Sequence, residues 1–264
     1  MNADEILQLL DDERPRFAGH GRIVERLDDV LRFRAVDGSY PVVVIAAGFD
    51  AANADGVIAR ELTHHRAHGY VPFEWTVYGH QAPADMVRRL ERHGFTTGPR
   101  EAVMICDLSE RRDWVDDAAT EADGAPVVRR IADEGALADF RHVAGTVFNK
   151  DYSFTTNELR DALRAGTTEH RGYVAYAGVH GPPAAVGRLY THAESRFGGL
   201  YGGGTLAEFR CRGFYRATVA ARARDALASG ARFLRVDALP TSQPILERLG
   251  FERLTDTWPC EWRP

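Results

Sequence analysis

Thr205-Leu206-Ala207-Glu208-Phe209-Arg210-Cys211-Arg212-Gly213-Phe214-Tyr215-Arg216-Ala217 is the run on which the reading of this chain turns. A glycine-rich strand, Phe197 to Leu206, ends inside it, and a helix opens at Gly213 and runs to Ser229, with Gly230 as its C-cap. A glycine at that junction lets the backbone turn tightly and lets a ligand come close. The first amides of a helix have no acceptor within it, and the helix dipole adds positive potential there. Together these make an anion site of main-chain donors. Arg210, Arg212, Arg216 and, two turns along, Arg222 add guanidinium groups that suit phosphates. Four such charges repel one another unless an anion sits among them. Cys211 reads as a small residue that the loop tolerates.

Outward from this run the pattern stays regular. Upstream, Tyr173–Ala177, Ala184–Thr191 and Phe197–Leu206 read as three strands joined by short turns, an antiparallel meander. Before them come a strand at Val127–Ile131 and helices at Glu134–Val147 and Thr156–Ala165. Downstream lie a strand at Arg232–Ala238, a helix at Ser242–Leu249 and a strand region from Phe251.

In this order the segment resembles the GNAT N-acetyltransferase superfamily, whose pyrophosphate loop reads (Gln/Arg)-x-x-Gly-x-(Gly/Ala) between the fourth strand and third helix. Here it is Arg210-Cys211-Arg212-Gly213-Phe214-Tyr215, with tyrosine departing from the small final residue. Its ring must therefore point away from the ligand. The resemblance covers Val127 to Trp262 and closes on the family's Gly-Phe pair at Gly250-Phe251. It implies an α+β fold with a mixed, mostly antiparallel sheet flanked by helices, and acetyl-CoA as co-substrate, without a metal. The diphosphate would lie on amides from Cys211 to Arg216, and the pantetheine arm beside Leu206 and Ala207. That arm would enter where this strand and the Arg232–Ala238 strand splay apart, with Arg222 reaching toward the 3′-phosphate.

Acetyl transfer needs a neutral amine at the thioester carbonyl, donors for the developing oxyanion and a proton for the leaving thiolate. The amide near Leu206 is the expected oxyanion donor. Many relatives of the family place an acidic tyrosine four residues before the Gly-Phe pair, where this chain has Leu246. Ser242, which also suits a helix cap, and Tyr201 are the substitutes expected to serve the sulfur. The Phe197–Leu206 strand holds no carboxylate base; Glu208 follows it, and Glu194, His192 and Asp151 are further acceptor-side candidates that read equally as surface residues. The acceptor is expected to be an amine of a small molecule or peptide. A non-catalytic acyl-CoA-binding or scaffolding protein is the alternative, motivated by the missing tyrosine and carboxylate.

The first half carries an echo of the second. Leu90-Glu91-Arg92-His93-Gly94-Phe95 matches Leu246-Glu247-Arg248-Leu249-Gly250-Phe251, each closing a helix between two strands. An internal duplication follows, with residues 1–110 a degenerate GNAT-like domain, 111–124 a linker and 125–264 the acetyl-CoA-binding domain. Expected elements in the first half are helices at Asp4–Leu10, Arg22–Phe33, Ala54–His68 and Pro83–His93, and strands at Pro41–Ala47, Pro72–Tyr78 and Arg100–Leu108. Asp50 and Asp55 put negative charge where a diphosphate would sit, so this half is not expected to bind CoA. His64, His65 and His68 read as a solvated helix face rather than a metal site, since no glutamate stands between them in the HExxH manner.

Composition narrows the rest. A net charge of −5 speaks against a broad nucleic-acid footprint. Lys150 is the single lysine, which disfavours Schiff-base chemistry. Three widely spaced cysteines form neither a metal finger nor a disulfide framework. The acidic opening and the lack of an apolar run of ~18 residues lead to the expectation of a cytoplasmic monomer or homodimer without membrane contact. A Rossmann enzyme is disfavoured, because no strand–GxGxxG–helix unit opens the chain.

Overall fold

The structure, a computed structural model, describes residues 1–16, 22–35, 42–69, 72–81, 83–110 and 125–263. The expected linker and Pro41 lie outside these. The chain divides into two compact units: Met1–Met104 with Asp237–Pro244 and Arg253–Pro264, and Ile105–Val236 with Ile245–Glu252. The units do not follow a linear split, since the last residues group with the first unit.

In the first unit, helix α1 (Ala3–Glu13) starts with a capping box in which the Asn2 side chain accepts from the Glu5 amide and Glu5 accepts from the Asn2 amide, both at 2.9 Å. Strands β1 (Arg22–Arg26) and β2 (Val30–Ala35) form an antiparallel hairpin. This corrects the helix expected over Arg22–Phe33. The apolar spacing there fits both periods, and cross-strand pairing decides: Glu25 accepts from Arg34 at 2.5 Å and from Arg32 at 3.4 Å, partners that only a hairpin brings together. Strand β3 (Val42–Ala46) pairs antiparallel with β2, helix α2 (Ala54–His68) follows, and β4 (Phe73–Tyr78) returns parallel to β3. Helix α3 (Met86–Arg92) leads to β5 (Thr96–Thr97) and β6 (Glu101–Asp107). The chain's last strand, β12 (Glu252–Trp262), pairs antiparallel with β4 from Thr257↔Tyr78 to Trp262↔Phe73.

The core of this unit gathers Val44, Ile58, Phe73, Trp75, Leu90, Phe95 and Trp262. Within it Arg32 donates to both oxygens of the fully buried Glu61, at 2.6 and 2.9 Å, tying β2 to α2. His65 is also buried, its ring stacked 3.9 Å from that of Phe73 and its Nδ1 2.7 Å from the Glu61 carbonyl oxygen. The solvated-face reading fails for His65, because the helix turns this position onto the sheet.

In the second unit, β7 (Pro126–Arg130), β8 (His170–Ala177), β9 (Pro183–Tyr190) and β10 (Phe197–Thr205) run antiparallel in sequence order. Helices α4 (Glu134–Phe148) and α5 (Ser153–Arg164) lie between β7 and β8 in the chain. After β10, helix α6 (Phe214–Ala228) carries the chain to β11 (Phe233–Ala238), parallel to β10, and then to α7 (Gln243–Arg248). One core cluster joins Leu137, Phe140 and Val143 of α4 to Leu159, Val174, Val186 and Leu206.

The two copies of the repeated hexapeptide close their helices alike. Gly94 and Gly250 sit at φ 89° and 82°, in the left-handed region that glycine tolerates. Phe95 N–H reaches the Leu90 carbonyl at 3.1 Å, and Phe251 N–H reaches the Leu246 carbonyl at 3.0 Å. Each copy follows the same succession of antiparallel strands, helix, parallel strand and short helix. The duplication read in the sequence is thus a duplication of backbone geometry within each unit.

Candidate functional site

Strand β10 makes the site possible by leaving its neighbour. It pairs with β11 over Phe197↔Phe233, Gly198↔Leu234 and Gly199↔Arg235, while its pairing with β9 continues to Thr205. Past Gly199 the β10 edge is thus open on the β11 side. The same stretch is bulged: Tyr201 faces Arg188, but Gly204 faces Val186, so an extra residue enters between them and the strand bends. Three glycines allow this. Gly202 sits at φ 54°; a methyl on Gly203 would meet the Arg222 and Tyr215 side chains at 3.2 Å, and one on Gly204 would meet Val147 at 2.6 Å.

The loop beyond β10 is a 3-10 turn, Ala207–Phe209, followed by Arg210 in extended conformation and Cys211 at φ 60°. Gly213, at φ 84°, is the N-cap of α6 and supplies no side-chain cap to its first turn. Phe214 is buried against Ala175, Ala184 and Ala185, which anchors the start of the helix. Cys211, Arg212, Gly213 and Arg216 stay exposed. The Arg212 guanidinium lies 5.2 Å from the Phe209 ring centre and 5.6 Å from that of Phe214. Arg210 donates from Nε to the Thr205 carbonyl at 3.3 Å. The Tyr215 ring turns back against Gly203, and its burial raises the phenol pKa. It packs toward the sheet rather than over the exposed amides ahead of it.

Three expected contacts change. The Leu206 amide, named as oxyanion donor, donates to the Ala184 carbonyl at 2.9 Å and is spent on the sheet. Arg222 is 1% exposed, so it cannot extend to a surface 3′-phosphate; it donates to the carbonyls of Thr218 at 3.0 Å and Arg188 at 3.3 Å. Gly187 and Gly203 leave it room, and burial depresses its pKa. Ser242 gives its single hydroxyl proton to the Leu239 carbonyl at 3.0 Å and belongs to the first unit, whereas Tyr201 belongs to the second.

Tyr201 is 37% exposed at the bulge. Its hydroxyl accepts from Arg235 Nη1 at 3.2 Å, which leaves its own proton free to go elsewhere. Its ring meets Tyr190 edge-on at 5.2 Å, and Tyr190 stacks on His170 at 3.9 Å. Arg188, the cross-strand partner of Tyr201, sets its guanidinium 6.0 Å from the Tyr201 ring centre and 3.8 Å from Glu158 of α5. The sequence reading missed Arg188, Glu158 and Arg235. Cross-strand pairing opposite Tyr201 was the only signal for Arg188, and it required the register.

The remaining acceptor-side candidates are elsewhere or occupied. Asp151 sits just ahead of α5, accepting from the Ser153 amide at 2.9 Å and hydroxyl at 2.6 Å. His192 and Glu194 lie in the β9–β10 turn, at the opposite end of β10 from the loop, about 25 Å away for a strand of this length. Glu208 is exposed in the 3-10 turn.

The corresponding place in the first unit is already filled. Asp50 accepts from the amides of Ala52 and Asn53 at 2.8 and 3.2 Å, just ahead of α2. Asp55, in the first turn of α2, pairs with Arg89 and, at 3.1 Å, with His93. A diphosphate would have to displace one carboxylate and approach another.

No family model matches the sequence, and no curated protein matches it. Solved structures do. A GCN5-related N-acetyltransferase from Kribbella flavida superposes with TM-score 0.66 at 16% identity, over 98% of this chain and 93% of the other. A conserved protein of unknown function from Staphylococcus epidermidis gives TM-score 0.68 at 13% identity, over 94% and 96%. A tandem GNAT protein from the clavulanic acid biosynthesis pathway gives 0.60 at 16% identity, over 100% and 89%. With this likeness spanning both halves of the chain, the protein has the GNAT fold, and has it twice, as tandem GNAT proteins do.

Proposed function

We propose that this protein is an acetyl-CoA-dependent N-acetyltransferase acting through its second unit on an amine of a small molecule or peptide. One observation carries the reading: the open β10 edge beyond Gly199 leads, through the 207–213 loop, to a helix whose N-cap, Gly213, has no side chain to cap it. In the first unit the turn just ahead of the matching helix is occupied by Asp50, which accepts from the Ala52 and Asn53 amides. The diphosphate of acetyl-CoA lies on amides between Cys211 and Arg216, with Arg210, Arg212 and Arg216 around it. The pantetheine arm follows the β10 edge. With the Leu206 amide engaged, main-chain donors of the Gly202–Gly203 bulge face the oxyanion.

The amine attacks the thioester carbonyl, the carbon–sulfur bond breaks, and the thiolate takes a proton from Tyr201. The new amide sheds the proton that returns Tyr201 to its starting state. Arg235 holds the Tyr201 oxygen. Leu246, fully buried where the family's usual acid stands, favours the second reading, a CoA-binding protein without turnover.

Calorimetry with CoA and a thiol-release assay over an amine panel separate the two. Uptake of CoA with amine-dependent thiol release is the expected result. Uptake without release on any amine favours the second reading, and no uptake removes both.

A further inference from the structure

We propose that the amine acceptor carries an anionic group, a carboxylate or phosphate, that is held by Arg188 and Arg235 on the α4–α5 side of β10. The proposal rests on the acetyltransferase reading and names the class of substrate for that same site.

The strand's own geometry separates two faces. Methyl groups on Gly202 and Gly204 would meet Arg188 and the α4 residues Val147 and Phe148, whereas one on Gly203 would meet Arg222 and Tyr215 under α6. Arg188 and Tyr201 therefore stand on the α4–α5 side of the bulge, where the thioester would be presented. Arg188 is well placed to take an anion. Its side chain is 16% exposed, its Nε is buried with no hydrogen-bond partner among the described residues, and Gly202 puts no side chain over it. A buried donor without an acceptor is costly, and a ligand carboxylate or phosphate would satisfy it with a forked pair of bonds.

Glu158 lies 3.8 Å from Arg188 Nη1, an ion pair longer than a hydrogen bond. The Arg188 main chain is braced from below, since its carbonyl accepts from the buried Arg222 at 3.3 Å. The second guanidinium, Arg235, reaches the Tyr201 hydroxyl from β11. An anion between Arg188 and Arg235 would thus lie beside the proton donor. That places an amine a few bonds away from it within reach of the thioester, while Tyr190 and Tyr201 supply flat walls for the intervening carbons.

The test compares amino acids with their carboxamides and decarboxylated amines, and O-phosphoethanolamine with ethanolamine, in the thiol-release assay on the full chain. The charged members should exceed their neutralised partners at least ~100-fold in kcat/KM. A preference confined to the carboxylate or to the phosphate arm identifies the source. Arg188→Gln should raise KM for charged acceptors ~100-fold more than for their neutralised partners and leave the CoA Kd unchanged. Arg188→Lys should recover about tenfold of the loss, because charge returns without the fork. Glu158→Gln should act oppositely, lowering KM for charged acceptors about threefold as repulsion is removed.

Equal kcat/KM for charged and neutralised members overturns the proposal, and so does a charge preference that survives Arg188→Gln in a folded protein. If CoA binds but no amine turns over, titration of the same panel into CoA-loaded protein decides. Tighter binding of charged members, lost in Arg188→Gln, supports the anion site, and equal binding overturns it. Absence of CoA uptake removes the parent reading instead, and the titration on the CoA-free chain then decides the anion site alone.

Discussion

Arg210→Asp would give the second unit the device that fills the first. Asp50 lies three residues before Asn53, the N-cap of α2, and accepts from the amides at positions 52 and 53. Arg210 lies three residues before Gly213, the N-cap of α6, in extended conformation. A carboxylate there removes one positive charge beside the diphosphate and adds a negative one. At about 5 Å and an effective dielectric constant of about 60, one elementary charge acts on two diphosphate charges with about 2 kcal/mol. The reversal comes to about 4 kcal/mol, and screening at physiological salt reduces this to about 2, or about thirtyfold in affinity. Capture of the loop amides by the new carboxylate adds to the loss.

Stability should move by less than about 0.5 kcal/mol, because Arg210 is exposed and its Nε donates one 3.3 Å bond to the Thr205 carbonyl. The assay is calorimetric titration of CoA at two salt concentrations beside a urea melt. Arg164→Asp, at the exposed end of α5, serves as the net-charge control. Arg210→Asp binding CoA within threefold of the unaltered protein, with its melt unchanged, would refute the placement of the diphosphate.

Three further outcomes are expected. Tyr201→Phe should lower kcat about 100-fold with CoA affinity unchanged, and retention of half the original kcat would exclude it as the thiolate's acid. Gly187→Ala should cost about 1–3 kcal/mol in a urea titration, because its methyl would lie 2.6 Å from Arg222 Cζ; a change under a few tenths would show that the guanidinium moves freely. Burial depresses the His65 pKa from 6.5 to about 4. The unfolded chain therefore takes up this proton first, so the contribution is fully present above pH 6.5 and is lost as pH falls toward about 4. That loss amounts to about 3 kcal/mol, and His65→Leu should flatten the pH dependence of the urea midpoint by a comparable amount. An unchanged slope would contradict the buried neutral ring.

Local sequence alone determined the loop and its surroundings. Gly213 at a strand–helix junction, the meander ahead of it and the repeated Leu-Glu-Arg-x-Gly-Phe stand in the structure as read. Each is a short-range signal: a glycine with positive φ, an apolar period or a helix stop acts within one turn or one strand. What failed depended on residues far apart in the chain. Arg22–Phe33 became a hairpin because cross-strand charge pairs and β3 supplied what its spacing left ambiguous. His65 and Arg222 went inside because their helices were rotated onto sheets that no local window contains. The Leu206 amide was claimed by Ala184, and β12 by β4, through pairing across the sheet. Arg188 came to stand beside Tyr201 only through register and a bulge. Tertiary structure decided these because a hydrogen bond or a buried face belongs to whichever segment arrives opposite it, and nothing within one strand or one turn says which segment that will be.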